Sequence, residues 1–334
     1  MLTKPIKTTR IARIERMRRI IRVIRLIRLI RVIISYMKLI ECVPNFSEGK
    51  RPEVIDQIIS AITSVKGVKF LDKEMDASHN RSVITFIGPA ESVGQAAFKA
   101  IEKTSQLIDM TKHKGEHPRI GATDVVPFIP LRGATMDDCI KIAREVGRQV
   151  GEQLKIPVYL YENAATRPEC RNLADVRKGQ FEGLCEELGQ NPARNPDFGP
   201  NKIHPTAGAT VIGAREILIA YNVNLDTDYL DVAKRIAKKI RQSSGGMPYV
   251  KALGILIDKH NRQIAQVTMN LTNYKVTPIK KVFDAIKELA LAENIRVLES
   301  ELIGLAPQDA FDGTSPEELQ ITGFSPEQII ENRL

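Results

Sequence analysis

The sequence has 334 residues, of which 43% are hydrophobic and 27% are charged, a composition typical of a globular protein with one large or two small domains. It contains no Trp and only 5% aromatic residues, which argues against a nucleic-acid surface built on base stacking. The four cysteines are scattered without a CxxC pair. This argues against a disulfide framework or a thiolate zinc site and fits a reducing, cytoplasmic location.

The formal net charge of +9 suggests nucleic-acid binding until its distribution is considered. Residues 1–36 carry two Lys and nine Arg against a single acid, Glu15, and have a net charge of +10. The remaining 38 basic and 39 acidic residues give a net charge of −1. The basic character therefore belongs to the N-terminal segment, and for the body of the chain we expect no nucleic-acid partner and no membrane.

Arg recurs at every third position from Arg16 to Arg31. A helix repeats about every 3.6 residues and a strand every two, so this period of three gives neither element a separate apolar face. Each central Arg would cost roughly 2.5–3.5 kcal/mol in a membrane-spanning helix, and the segment lacks the apolar core of a secretory signal. Three interpretations remain open. Translation begins at Met37 and residues 1–36 are an artefact or an unstructured tail; or they bind an anionic membrane or nucleic acid; or they form a transit-type presequence.

Hydrophobic periodicity and turn residues divide the body of the chain into helices and strands. In the first part we predict strands at 38–43, 68–72, 82–87, 125–129 and 158–161. We predict three helices there: one that begins at Pro52, one at 90–109 and one at 135–153. Residues 163–208 are rich in Pro, Gly, Asn and charge, and we predict a loop with one short helix near 175–188. In the second part we predict strands at 217–224, 250–257, 263–271 and 297–302, and helices at 228–242 and 277–293.

The same order of elements, β-α-β-β-α-β, is thus predicted twice, and it is the signature of a split βαβ, or ferredoxin-like, unit. We therefore predict an α+β protein with two ferredoxin-like subdomains. The basic extension at residues 1–36 precedes a subdomain at 37–216, which is followed by a second subdomain at 217–334. Because this fold supports many functions, the function must be argued from a site.

The loop HKGEHPRIGATD contains His113 and His117, whose i,i+4 spacing invites a zinc site. We predict no metal, because Gly115 and Pro118 weaken a helix there and no third ligand has recognisable spacing. One His could instead act as a general base, since imidazole titrates near neutral pH. A polar loop His that bonds to backbone or solvent is the other interpretation that the residues leave open.

Three further segments could bind a ligand. DFGPNKIHPTAGATVIGARE, residues 197–216, has glycines that permit close approach to a flat ligand and two cations, Lys202 and Arg215, that could bind carboxylates. It lacks GxxxxGK[ST] and GxGxxG, and it could equally be a linker between subdomains. ASHNRSVITF places polar residues before a predicted strand, and VPNFSEG offers Asn45 and Ser47. Each of these residues could also serve only to hold a loop in place.

Taken together, these motifs resemble the formiminotransferase domain of glutamate formiminotransferases. The resemblance rests on ECVPNFSEG, HNRSVITFIG, LIDMTKHKGEHPRIGATDVVPFIPL, PVYLYENAA, PDFGP, GATVIGARE, LIAYNVNL, AQVTMNLTNY and ESELIGL, which occur in this order from Lys38 onward. It implies a homodimer of two-subdomain chains with the substrates in a cleft between the subdomains. Residues 1–36 have no counterpart, and neither is a cyclodeaminase domain matched, so we do not expect that second activity.

The resemblance implies that His117, in GEHPRIG, is the catalytic base. It implies tetrahydrofolate as co-substrate, with folate contacts from ten consecutive residues: Gly199, Pro200, Asn201, Lys202, Ile203, His204, Pro205, Thr206, Ala207 and Gly208. We expect the other substrate, N-formimino-L-glutamate, to contact five polar residues: Asn45, Asn80, Arg81, Asp124 and Arg215.

The expected reaction transfers the formimino group to N5 of tetrahydrofolate, a step of histidine degradation and one-carbon metabolism. His117 would take the proton that the attacking nitrogen loses. Glu116 or the acids Asp72, Glu74 and Asp76 could stabilise the amidinium. The alternatives are formyl transfer from N-formyl-L-glutamate, which needs the same folate site, a folate-binding protein without turnover, and a tether that uses residues 1–36.

Overall fold

The structure is a computed structural model that describes residues 16–17 and 38–334. The three interpretations of the basic N-terminal segment therefore lie almost wholly outside the described residues. None of the helices in the described part is long and apolar enough to cross a membrane.

Eleven strands and seven α-helices are found between residues 38 and 334. The strands are β1 (Leu39–Cys42), β2 (Asn45–Phe46), β3 (Lys69–Asp76), β4 (Arg81–Pro89), β5 (Thr123–Pro130), β6 (Val158–Glu162), β7 (Thr210–Ala214), β8 (Ile219–Leu225), β9 (Val250–Lys259), β10 (Arg262–Leu271) and β11 (Val297–Ile303). The helices are α1 (Pro52–Thr63), α2 (Ala90–Leu107), α3 (Met136–Gln149), α4 (Leu173–Val176), α5 (Gln180–Glu187), α6 (Leu230–Ile240) and α7 (Ile279–Leu291).

The N-terminal sheet has seven strands. In space it runs β3, β4, then β1 and its short continuation β2, then β5, β7 and β6. The pairs around β1 and β4 are antiparallel, with Glu41 opposite Ile87 and Asn45 opposite Val83. The pairs of β7 with β5 and β6 are parallel. The sheet therefore joins an antiparallel half to a parallel half, with β5 at the boundary.

The C-terminal sheet has four antiparallel strands in the order β11, β8, β10, β9. Numbered in chain order within the unit, these strands are arranged 4-1-3-2. The antiparallel half of the N-terminal sheet, β5, β1, β4 and β3, has the same arrangement. The two halves of the chain therefore share one strand order although their sequences show no residue-level repeat.

Helices cover one face of each sheet, α4 and α5 also pack on part of the other face of the N-terminal sheet, and each sheet has a hydrophobic core of its own. In the N-terminal subdomain α1, α2 and α3 pack on the sheet, and the spacing of the buried residues Val54, Ile55, Ile58 and Ile62 explains why α1 lies flat on it. Thr135 and Asp138 form a capping box that fixes the start of α3. In the C-terminal subdomain α6 and α7 form the corresponding layer. The opposite faces of the two sheets are the surfaces that remain to build a site.

The α+β class is confirmed, and the helices and strands predicted outside residues 163–216 are present with small shifts of their ends. Two predictions were wrong. Residues 210–214 form the buried strand β7, which extends the N-terminal sheet beyond a four-stranded ferredoxin-like unit. The one helix predicted near 175–188 is two short helices, α4 and α5. The ferredoxin-like description and the subdomain boundaries at 37–216 and 217–334 stay predictions.

Polar contacts link the two subdomains on either side of the short connection between β7 and β8. The guanidinium of Arg333 donates a hydrogen bond to the carbonyl oxygen of Leu71 in β3. On the other side, Lys251 Nζ donates to Asn172 Oδ1 at 3.2 Å. The docking of one sheet against the other therefore involves residues far apart in the chain.

Candidate active site

A cavity of about 340 Å³ lies between the two subdomains. Its floor is the face of the N-terminal sheet opposite α1, α2 and α3, and the apolar lining there includes Val43, Val83, Val125 and Pro127. The C-terminal subdomain supplies the opposite side through residues of β8, β10 and β11 and the connections that follow β7 and β11: Ile217, Leu218, Ala220, Asn270, Ile303, Gly304 and Leu305. A ligand in this cavity would therefore contact both subdomains at once.

Three arginines line the cavity: Arg81, Arg177 and Arg215. Arg81 donates a hydrogen bond to Asn45 Oδ1, and Arg177 forms an ion pair with Asp124, which is only 2% exposed. The Nε atoms of Arg81 and Arg177 are buried and have no hydrogen-bond partner among the described residues. The guanidiniums of Arg81 and Arg177 line the cavity, and such groups suit an anionic ligand such as a carboxylate.

Burial, followed by the charge of Arg177, lowers the pKa of Arg81 to about 10, while nearby acids act in the opposite direction. The guanidinium therefore remains charged at neutral pH, although the pKa shift records the electrostatic cost of placing two cations side by side. An anion bound between Arg81 and Arg177 would relieve that repulsion. This end of the cavity is accordingly built to receive negative charge.

Acidic residues line other parts of the same cavity. Asp72 and Glu74 lie on β3, and Glu41 lies on β1 with 4% of its surface exposed. Burial and the neighbouring Asp72 raise the pKa of Glu74, while Arg81 opposes the shift. Burial raises the pKa of Glu41 to about 7, with Arg215 acting in the opposite direction. The cavity thus presents both signs of charge, as a substrate with carboxylates and an amidinium requires.

His117 reaches the cavity from the loop between α2 and β5. Its ring is half-buried, and its centroid lies 6.3 Å from that of His79, with the planes at 70°. Burial, followed by the charges of Arg81 and Arg177, lowers the pKa of His117 to about 3. The imidazole is therefore neutral at physiological pH and is able to accept a proton.

We expect the His117 ring to remain neutral between pH 7 and pH 5 in the absence of ligand. Its pKa is lowered, so the folded chain does not bind the proton that the unfolded chain binds below about pH 6.5. The free energy of unfolding therefore falls as pH drops below that value. NMR chemical shifts of the His117 imidazole, followed as pH is varied, would measure its titration midpoint. Arg81→Met should raise that midpoint, because it removes one of the charges that lower the pKa. A His117 titration midpoint near 6.5 in the unsubstituted protein would contradict the expectation that the ring stays neutral down to pH 5.

The loop that carries His117 is fastened by hydrogen bonds to segments on both sides. Asn80 Oδ1 accepts from Gly49 N at 2.9 Å, Asn80 Nδ2 donates to Lys114 O at 2.9 Å, and His113 Nε2 lies 2.9 Å from Asn80 O. Asn80 adopts a left-handed backbone with φ of 47°. Asn80 thus holds the loop in place from outside the main cavity.

The second anchor of the loop is at its C-terminal end. Asp124 Oδ1 accepts from Ile120 N at 2.9 Å while its other oxygen pairs with Arg177. Arg119, 7% exposed, forms a bidentate pair with Glu182 at 2.6 and 2.8 Å. Asp124 therefore acts at the site through Arg177 and the loop backbone, and it does not line the cavity.

We expect Gly121→Ala to lower the free energy of unfolding by about 1–3 kcal/mol. The new Cβ would overlap the carbonyl oxygen of Ala209, the residue immediately before β7. The matched control is Gly183→Ala in α5, where a Cβ meets no atom within 4 Å and the helix gains up to about 1 kcal/mol. Urea denaturation of both variants measures the difference. Equal unfolding midpoints would show that the loop and β7 are not in close contact.

The structure brings together four of the predicted site residues in the cavity: His117, Asn45, Arg81 and Arg215. The ten residues predicted to bind folate do not line it. They pass beside the loop that carries His117, where Thr206 O accepts from Met110 N at 2.8 Å and Ala207 O accepts from Ala122 N at 2.9 Å. Asn201 and Lys202 within this segment are exposed. The segment therefore supports the loop that carries His117, and its contact with folate stays a prediction.

Sequence reasoning missed Glu41 and Arg177 as site residues. Glu41 could have been noticed, because it is the one acid in an otherwise apolar strand. Arg177 follows a short helix in a segment rich in polar residues, and no local pattern sets it apart. Of the acids considered for the amidinium, Asp72 and Glu74 line the cavity, whereas Asp76 is exposed and paired with His79.

No group of three or more His, Cys, Asp or Glu side chains arranged to hold a metal ion is found within residues 16–17 and 38–334. His113 and His117, the pair that suggested zinc, have different surroundings. His113 bonds to Asn80 O and to Arg119 at 3.2 Å, and His117 faces the cavity.

The formiminotransferase domain, N-terminal subdomain, matches residues 39–215, and the formiminotransferase domain matches residues 220–315. The chain therefore belongs to the formiminotransferase family.

Individual relatives agree with that assignment. A glutamate formimidoyltransferase from Streptococcus pyogenes serotype M1 is 49% identical over 298 residues, which cover 89% of this chain and 99% of the relative. One from Thermoplasma acidophilum is 45% identical over 300 residues, 89% of this chain and 98% of the relative. A formimidoyltransferase-cyclodeaminase from Dictyostelium discoideum is 43% identical over 279 residues, which are 82% of this chain but 51% of that longer protein.

Proposed function

We propose that this chain is a glutamate formimidoyltransferase, which transfers the formimino group of N-formimino-L-glutamate to N5 of tetrahydrofolate. The observation that carries the proposal is His117, a neutral imidazole on the wall of a cavity that contains three arginines and is shared by two subdomains. Family membership and the names of the most similar relatives support it.

The reaction forms one bond and breaks one bond at the formimino carbon. N5 of tetrahydrofolate attacks that carbon, and His117 accepts the proton that N5 loses. The bond from the carbon to the glutamate nitrogen then breaks, and this nitrogen gains a proton, so that 5-formiminotetrahydrofolate and L-glutamate result. General-base catalysis of this kind contributes typically about 10²–10⁴-fold. Holding two reactants together in one cavity supplies a further part of the rate.

The charges of the cavity fit the groups of the donor. The guanidiniums of Arg81 and Arg177, which line the cavity, would bind a glutamate carboxylate. Asp72 and Glu74 would stabilise the amidinium. The positive charge of Arg81 acts on Glu74 and favours its ionised form. An anion between the two guanidiniums would also cancel part of the positive field that lowers the His117 pKa. Donor binding would therefore make His117 a stronger base at the moment it is needed.

Two alternatives use the same site. Formyl transfer from N-formyl-L-glutamate would need the same base and the same folate position, and a folate-binding protein would need no turnover. An assay with tetrahydrofolate and either donor separates them. Transfer from the formimino donor supports our proposal, transfer from the formyl donor alone changes the named reaction, and folate binding without transfer favours the carrier.

The assembly and location of the protein are also proposals. The resemblance supports a homodimer, which light scattering on the purified chain would test. A cytoplasmic location is supported by the four cysteines, which are free thiols, three of them buried. Contact of residues 199–208 with tetrahydrofolate, beyond their support of the catalytic loop, would be tested by protection of Lys202 from acetylation when folate is bound.

A further inference from the structure

Glu41 is a buried acid that the transfer mechanism does not use. It lies in β1 on the floor of the cavity, opposite Ile87 of β4. The backbone N–H of Arg215 donates to Phe128 O at 3.1 Å. Phe128 is opposite Cys42, the residue after Glu41 in β1, so Arg215 lies at the same end of the cavity as Glu41. Arg215 also acts electrostatically on the Glu41 carboxyl.

His117 is at the other end. Its charged neighbour Arg81 bonds to Asn45, which is opposite Val83 in β4. Ile87 and Val83 are four residues apart in one strand, which is roughly 13 Å at about 3.3 Å per residue. The backbone positions of Asn45 and Glu41 are therefore roughly 13 Å apart, which places Glu41 at the end of the cavity away from Asn45 and Arg81. The formimino carbon must be beside His117 when N5 attacks.

The region between these two ends is lined mainly by Val43 and Pro127, with Thr85 of β4 beside them. A reduced pterin is a flat bicycle with N5 near one edge and a 2-amino-4-oxopyrimidine at the other. With ring bonds of about 1.4 Å its N5 and 2-amino nitrogen are roughly 5–6 Å apart. A hydrogen bond of about 2.9 Å at each end brings the span to on the order of 11 Å, which fits within the roughly 13 Å between the backbone positions of the two ends.

We propose that Glu41 and Arg215 bind the 2-amino-4-oxopyrimidine edge of the tetrahydrofolate pterin and so place N5 at His117. A carboxylate accepts in parallel from the 2-amino group and the N3–H, and a guanidinium donates to the 4-oxo oxygen. Glu41 is thereby a positioning residue of the proposed transfer reaction, on which this inference rests. Because burial raises the pKa of Glu41 to about 7, its carboxylate is poorly satisfied without such a ligand.

The test compares Glu41→Gln with the unsubstituted full chain, using calorimetric titration with tetrahydrofolate and with its 2-desamino analogue. The unsubstituted chain should bind the analogue about 10–100-fold more weakly, as expected for loss of a hydrogen bond to a charged group. Glu41→Gln should bind tetrahydrofolate weaker by a similar factor and should show little further loss with the analogue. Its KM for tetrahydrofolate should rise while its KM for the formimino donor stays the same. Glu41→Asp, which keeps the charge, should recover part of the affinity.

Glu162→Gln is the matched control. Burial raises the pKa of Glu162 as well, but this residue ends β6 and does not line the cavity. Unchanged folate affinity in Glu41→Gln, with near-native circular dichroism, would overturn the proposal, as would a rise confined to the donor KM. If the unsubstituted chain binds no tetrahydrofolate and transfers nothing, the proposed function fails together with this inference. Transfer by the unsubstituted chain with an unaffected Glu41→Gln overturns only the inference.

Discussion

Replacing His117 with glutamine is expected to lower turnover by about 10²–10⁴-fold, because the variant keeps the size and polarity of the side chain but has no group that accepts the N5 proton near neutral pH. The half-buried imidazole is held in a loop whose fastening does not involve the His117 ring, so the variant should fold normally. The measurement is single-turnover transfer from N-formimino-L-glutamate to tetrahydrofolate, with folate affinity determined in parallel.

The matched control is His260→Asn. His260 is an exposed residue at the β9–β10 turn, where its Nε2 is 3.1 Å from Glu299 Oε1, and asparagine tolerates its left-handed backbone with φ of 53°. Turnover of this variant should match that of the unsubstituted chain. Should His117→Gln keep near-native turnover with intact circular dichroism, another group is the base. Should it lose tetrahydrofolate binding as well, the imidazole contributes to binding before catalysis.

Replacing Asp124 with alanine is expected to lower the free energy of unfolding by about 3–5 kcal/mol, the usual result when one partner of a buried ion pair is removed. Asp124 is 2% exposed, and without it the Arg177 guanidinium would be left near Arg81 with no counter-charge at its side. The N–H of Ile120 would also lose its acceptor. Urea denaturation followed by circular dichroism gives the difference.

Asp284→Ala provides the comparison, since Asp284 pairs with Lys280 at 3.0 Å on the solvent-exposed side of α7. Loss of an exposed pair should cost less than about 1 kcal/mol. A similar small loss for Asp124→Ala would mean that water reaches the buried pair and that the Arg177 side chain is free to turn outward. The cavity would then lack the fixed cation that we assign to it.

The parts of the fold that repeat a short-range pattern were predictable from sequence. Apolar residues spaced by three and four predicted α1, α2, α6 and α7, since one face of each helix must be buried. β7 was missed because its sequence, TVIGA, is short and contains small residues and a glycine. Its strand conformation comes from parallel neighbours on both sides, which are distant in the sequence.

The candidate site divides in the same way. His117, Asn45 and Arg81 stand in motifs whose composition is unusual for a loop, so local reasoning found them. Arg177 reaches the cavity only because α4 packs beside β6, and no pattern along the chain encodes that contact. Asn80 and Asp124, which sequence reasoning assigned to the substrate site, hold the loop that carries His117 and the Arg177 side chain, and their contact with substrate stays a prediction.

Each subdomain has a separate hydrophobic core, and the cavity is the space between them. Separation of the two subdomains would therefore move the two sides of the cavity apart while both hydrophobic cores stay folded. On heating, activity should disappear at a lower temperature than helical circular dichroism, with a calorimetric transition that is not a single two-state event. A ligand that fills the cavity would contact both walls, so it would bind only the docked arrangement and favour it by mass action. Protection by substrate against heat inactivation thus reports on the joint between the subdomains and not on the strength of either core.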